Sequence, residues 1–348
     1  MGCRGRLDRM GGSLQYNSAL DGVRALAALA VVALHCKIPI AHGGMIGVDV
    51  FFVLSGFLIT TILRSEMVET GRISLSRFYW RRALRLWPPL LLMLAAYVAI
   101  GPLAFPHADV VSDATLAGLY LSDYAVAFWH EPLNILHTWS LSVEEHFYLL
   151  WPFAILATRR LSGSTLVALL AIGFVMATVW RVADTLIWQD FYRTYYRFDT
   201  RMSGLILGGV IAVMPWRPSL AGAKLIGGIS VFILVLAMLT LRIRTSGSLL
   251  AGGLVVDLAA AGLILSLVSG HATLLGQMLS WQPLTYLGLI SYPVYLWHYP
   301  IARAVRDQVD PVSTFLIVTT LSVAIAAASY EFVEKPLRMF RGRRLATA

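Results

Sequence analysis

An all-α bundle of about ten transmembrane helices, both termini cytoplasmic, is the fold that the sequence predicts, and three observations predict it. Hydrophobic residues make up 58% of the 348 and charged residues only 14%; with a mean hydropathy of +0.71 the chain is too apolar for an ordinary soluble protein. Apolar runs long enough to enter a bilayer recur along the whole chain. Of the 28 Lys and Arg, about two-thirds fall on the side assigned to the termini, as the positive-inside rule requires.

The spans fall at roughly 20–36, 45–63, 84–104, 141–158, 164–181, 202–214, 223–241, 249–269, 283–301 and 313–333. They leave a cytoplasmic tail at 1–18, a membrane domain at 19–341 and a second cytoplasmic tail at 342–348. The first span reads as a retained anchor, because no short apolar region with a cleavage site precedes it. The net charge of +9 follows topology, so the lipid bilayer and not nucleic acid is the expected partner. Cys3 and Cys36 flank the first helix, which makes a structural disulfide improbable, and no metal site is expected.

The first span carries Arg24 and His35 in an otherwise apolar run. Ionisable groups at membrane depth are costly and mark functional sites by default. Eleven helical steps bring the two side chains to within roughly 20° of one direction and about 16 Å apart along one face. In the second span Asp49 enters from the outer face near the depth of His35. It is either a carboxylate that holds the tautomer of His35 or an acid favoured by a helix N-terminus. At the cytoplasmic start of the third span Arg82 and Arg85 share one helical face, where guanidinium groups can clamp phosphates or simply flank the membrane. The loop at 105–140 carries Asp109, Asp113, Asp123 and Glu131 and no Lys or Arg, and its length suggests a lid or a binding loop.

The fourth span opens with Glu144 and Glu145, which Ser140 or Ser142 would cap. Two acids with His137, His146 and several aromatics exceed what capping needs, so the group reads as a site wall on the outer face. Asp199 and Arg201, beside the sixth span, either pair with each other or contact a substrate. The ninth span ends in an aromatic stretch with Tyr295 and His298. Such aromatics also form interface belts.

In order along the chain, these clusters resemble the acyltransferase-3 family of membrane O-acyltransferases. The resemblance rests on Leu20-Asp-Gly-Val-Arg-Ala-Leu-Ala-Ala with His35, Gly47-Val-Asp-Val-Phe-Phe-Val-Leu-Ser-Gly-Phe-Leu-Ile, Arg82-x-x-Arg85, Trp139-Ser-Leu-Ser-Val-Glu-Glu145, Ile290-Ser-Tyr with Tyr295-Leu-Trp-His298, and Val333-Glu-Lys-Pro-Leu337. It covers about residues 18–341 and departs from the family pattern at His146, where glutamine is usual.

The resemblance implies transfer of an acyl group, acetyl above all, from cytoplasmic acyl-CoA to a hydroxyl of a glycan, a lipid-linked sugar or another acceptor at the outer face of the bacterial inner membrane. It makes Arg24 and His35 the residues required for activity and assigns Arg82 and Arg85 to the phosphorylated end of the coenzyme, which is a donor substrate and not a resident cofactor. Chemically, a thioester needs only a base for the alcohol and a stabilised oxyanion. An unperturbed imidazole titrates near about 6.5, so His35 is the best base on offer. It acts either directly, with Asp49 beside it, or by carrying the acyl group. Glu144, Glu145, Ser142, Asp199, Arg201, Tyr295 and His298 are candidates for the acceptor site. The alternative is an organic-anion transporter or channel built on Arg24 and His35. The sequence selects neither an acceptor nor an oligomeric state.

Overall fold

The computed structural model describes residues 16–242, 245 and 247–337. Cys3, the second tail at 342–348 and all of the first tail before Tyr16 lie outside them. Among the described residues there is no strand, and the chain runs through sixteen α-helices. They are α1 (Ser18–His35), α2 (Ile46–Thr70), α3 (Leu75–Ala104), α4 (Val110–Gly118), α5 (Ser122–Trp129), α6 (Trp139–Ala157), α7 (Gly163–Trp188), α8 (Phe191–Tyr196), α9 (Phe198–Arg201), α10 (Ser203–Val213), α11 (Leu220–Thr240), α12 (Gly253–Leu267), α13 (Leu274–Leu279), α14 (Gln282–Leu289), α15 (Ser291–Val305) and α16 (Pro311–Ser329). Single π-helical turns precede α12 and follow α16.

Among the described residues seven helices are long and apolar enough to cross a membrane, at Ser18–His35, Ile46–Thr70, Leu75–Ala104, Gly163–Trp188, Leu220–Thr240, Ser248–Leu267 and Pro311–Leu337. Seven of the expected spans fall on them. The other three differ in shape. Helix α6 carries two glutamates and a histidine, and α10 has 11 residues, about 16 Å of rise against a hydrocarbon core of about 30 Å. The expected span at 283–301 is two helices, α14 and α15, which meet at Ile290. The long loop is also folded: α4 and α5 occupy it, and the Tyr97 hydroxyl donates to Asp113 at 2.5 Å, fixing α4 to α3.

Helix α2 is the axis of the bundle. It is apolar around its whole circumference, as a helix enclosed on all sides must be. Its neighbours approach through glycine. A Cβ on Gly56 would lie 1.8 Å from the Leu205 carbonyl oxygen, one on Gly208 2.0 Å from that of Val53, and one on Gly47 2.2 Å from that of Ala27. Small residues allow such backbone contact where lipid removes the hydrophobic drive for association. At the periphery α7, α11 and α16 turn most of their surface outward, with Phe232, Leu225 and Leu316 exposed. Asn17 caps α1, with its side chain accepting from Ala19 N, and buried Cys36 follows α1 as a free thiol.

Gly208→Ala is expected to lower stability by about 1–3 kcal/mol, since the backbone of α2 cannot yield as a side chain can. Gly228→Ala, on α11 with nothing within 4 Å, is the control. Thermal unfolding in detergent checks the pair, and equal midpoints would contradict the packing described.

Candidate active site

A cavity of about 330 Å³ opens between α1, α2, α3, α6 and α15. Arg24, Arg82 and Arg85 line it, with Asp21 and Glu144 as the acids among its walls. Arg24 donates to Asp21 at 2.6 Å, and the Tyr16 hydroxyl donates to the other oxygen of Asp21, also at 2.6 Å. The three-residue step between Asp21 and Arg24 on one helix makes this contact possible. The Arg82 guanidinium lies 4.4 Å above the Tyr148 ring, a cation–π contact. Ser55 of α2 donates to Glu144. Arg85 sits in a turn that lacks two backbone donors, because Pro88 and Pro89 follow it inside α3. Ser140 and Tyr295 also line the cavity, and their hydroxyls lie 2.7 Å apart.

Sequence reasoning placed Glu144 and Glu145 together as an outer wall, and the structure separates them. Adjacent positions on a helix point about 100° apart. Glu144 enters the arginine cavity, whereas a Glu145 carboxylate oxygen is buried with no hydrogen-bond partner among the described residues. Ser142 is buried and donates to the Thr138 carbonyl at 3.3 Å, while Ser140 donates to that of His137, so neither caps α6. His146 lies 3.1 Å from buried Asp123.

His35 does not line the arginine cavity. Its Nδ1 is 2.9 Å from Nε2 of His298, and the two rings stack with centroids 5.1 Å apart. His298 is fully buried, and its Nδ1 lies 2.5 Å from the Tyr295 carbonyl oxygen. That contact assigns the protons. A carbonyl only accepts, so His298 carries hydrogen on Nδ1, and in its neutral form it accepts at Nε2. His35 must therefore donate from Nδ1, which leaves the lone pair on its Nε2. His137 completes the group; its ring stacks on Tyr299 at 5.1 Å, and its Nε2 donates to the Leu296 carbonyl.

Asp49 is the main correction. It does not hold His35. Its carboxylate accepts from Arg201 Nη2 at 2.6 Å, with both side chains buried. Asp199 and Arg201 likewise do not pair: Asp199 accepts from Arg197 at 2.6 Å and from the Trp180 indole at 2.8 Å. Nearby, Arg181 donates to Ser203 and Ser203 to Asp257, with Arg181 and Asp257 3.6 Å apart. Asp257 and Arg181 were missed as a buried pair. The lone carboxylate in the apolar run at 249–269 was the signal that could have found it.

Arg201→Ala is expected to cost about 3–5 kcal/mol of stability by stranding the Asp49 carboxylate, with part regained in the Asp49→Asn, Arg201→Gln double variant. Thermal unfolding in detergent checks it. Loss of turnover in Asp49→Asn at unchanged stability would instead put Asp49 in the chemistry.

The family described as an acyltransferase domain matches residues 17–331. The peptidoglycan O-acetyltransferase OatA of Listeria monocytogenes is 32% identical over 94% of this chain and 56% of its own length. The O-acetyltransferase OatA of Staphylococcus aureus is 32% identical over 96% and 59%, and the putative peptidoglycan O-acetyltransferase YrhL of Bacillus subtilis 31% over 93% and 55%. The chain thus spans little more than half the length of these relatives. No solved structure matches it. With a family match over nearly the whole chain and relatives above 30% identity, the chain belongs to the acyltransferase-3 family of membrane proteins.

Proposed function

We propose that the protein moves an acetyl group from acetyl-CoA, held at the cytoplasmic side by Arg82 and Arg85, to a hydroxyl of an envelope glycan at the outer face, with His35 as general base. The relatives' names support acetyl as the group and peptidoglycan as a member of the acceptor class. Multi-pass helices and the family support a membrane location, which we take to be the bacterial cytoplasmic membrane. Family membership supports the transferase over the anion transporter, and no feature of the cavity favours transport.

The observation that carries the proposal is the chain of contacts from the Tyr295 carbonyl through His298 to His35 Nδ1, from which a neutral His35 with its lone pair on Nε2 follows. Its Nε2 lone pair takes the proton of the acceptor hydroxyl, and the oxygen attacks the thioester carbonyl. The oxyanion forms in this cavity, whose walls include the Ser140 and Tyr295 hydroxyls; these bond each other and the His137 carbonyl, so a hydroxyl reaches the oxyanion by turning away from that carbonyl. Collapse breaks the C–S bond, and the imidazolium returns its proton to the coenzyme A thiolate. The three arginines meet the donor's phosphates as planar, always-charged forks. Arg24 and His35 stand eleven residues apart on α1, about 16 Å of rise, a length comparable to an extended pantetheine arm.

His35→Ala is expected to lower acceptor-dependent thioester cleavage by about 10²–10⁴-fold at unchanged acetyl-CoA affinity. Arg82→Ala and Arg85→Ala are expected to weaken acetyl-CoA binding by roughly 10–100-fold each. Calorimetric titration of acetyl-CoA and a coenzyme A release assay with an envelope-glycan fraction check both. A His35→Ala protein with wild-type release, or arginine variants with wild-type donor affinity, would contradict the assignment.

A further inference from the structure

A second cavity, of about 390 Å³, lies between the loop that follows α3 and the outer part of α15. Its walls include Asp109, Asp113, Glu131, Asn134, Arg303 and the Phe105 ring. Neither the arginine cavity nor the histidine cluster uses these residues. Each acid is held in place by one local bond: Asp109 accepts from Ser112 N at 3.0 Å, Glu131 from Leu133 N at 3.0 Å, and Asp113 from the Tyr97 hydroxyl. Each keeps a second oxygen that these bonds do not use. Burial pushes the Asp113 carboxyl up to about 6, against the opposing effect of the Tyr97 bond. Arg303 donates to the Asn134 side chain at 3.2 Å.

The position of this pair ties the cavity to the reaction. Arg303 stands five residues beyond His298 on α15, about 7.5 Å of helical rise, and Asn134 precedes His137 by three residues. The cavity therefore adjoins the histidine cluster on the side away from the arginines.

We propose that this cavity binds a ring of the acceptor glycan, and that the ring is uncharged. This rests on the transferase reading above and adds the acceptor's class to it. Pre-positioned carboxylates, an amide and a guanidinium present planar acceptors and donors for pairs of neighbouring sugar hydroxyls, and the Phe105 ring offers an apolar face for the sugar's C–H groups. Three carboxylates outnumber the basic groups of the wall, the Arg303 guanidinium and the His107 imidazole, and so disfavour a sugar that carries its own carboxylate or phosphate, because like charges at a few ångströms repel. The loop's lack of Lys and Arg gains a function from this: no loop ammonium or guanidinium offsets the acids.

The test uses the full chain in nanodiscs, titrated by calorimetry with chitotetraose as the neutral probe, tetragalacturonate as the anionic probe, and acetyl-CoA. Chitotetraose is expected to bind and tetragalacturonate not. Glu131→Gln and Arg303→Ala are each expected to weaken chitotetraose by about tenfold or more at unchanged acetyl-CoA affinity. Chitotetraose binding that neither variant moves, no chitotetraose binding by protein that binds acetyl-CoA, or a preference for tetragalacturonate would each overturn the proposal. Variant-sensitive chitotetraose binding by protein that does not bind acetyl-CoA would leave the glycan site standing and sink the transferase reading instead.

Discussion

A charged or imidazole side chain among membrane helices has no bulk water to solvate it, so its partner must come from the protein. The arrangement of this bundle follows from how that requirement is met. Arg24 is met by Asp21 one turn away, Asp49 by Arg201, Arg181 by Ser203 and Asp257, and His35 by His298. Of these, the histidine pair alone joins two groups of the same kind. That makes it suited to chemistry: a carboxylate partner would favour the imidazolium, whereas a neutral imidazole accepting one hydrogen bond leaves a lone pair on the other nitrogen.

Helix α2 keeps the charge systems apart. Asp49 and Ser55 are six residues apart, or about 240° around the helix, so one points to Arg201 and the other to Glu144 in the arginine cavity. The close approach of α10 at Gly56 and Gly208 seats the helix between them. A substitution that shifts α2 would disturb the arginine cavity and the buried ion pairs together, which links the packing to the candidate site without a shared side chain.

Helix positions were legible in the sequence because hydropathy depends on local composition, and seven spans coincide with long apolar helices. The break at Ile290 was not, since the run from Gln282 through α15 stays apolar and aromatic across it. Motif residues were found, but their partners were misassigned where proximity along the chain was the guide. His35 and His298 are 263 residues apart and Asp49 and Arg201 are 152 apart, so only the assembled bundle reveals either contact. Glu144 and Glu145 show the same limit at short range. Their adjacency suggested one wall, and helix geometry sends them to different environments. The acidic loop was flagged by its composition, but its cavity depends on Arg303 from a distant helix.

The most direct test of the account is the tautomer of His35, read by nitrogen NMR of histidine-labelled protein in nanodiscs, with its signals assigned by their loss in His35→Ala. The account expects hydrogen on Nδ1 and a lone pair on Nε2 in the wild type, with that preference lost in His298→Ala. Hydrogen on Nε2 in the wild type, or a tautomer unchanged by His298→Ala, would contradict it.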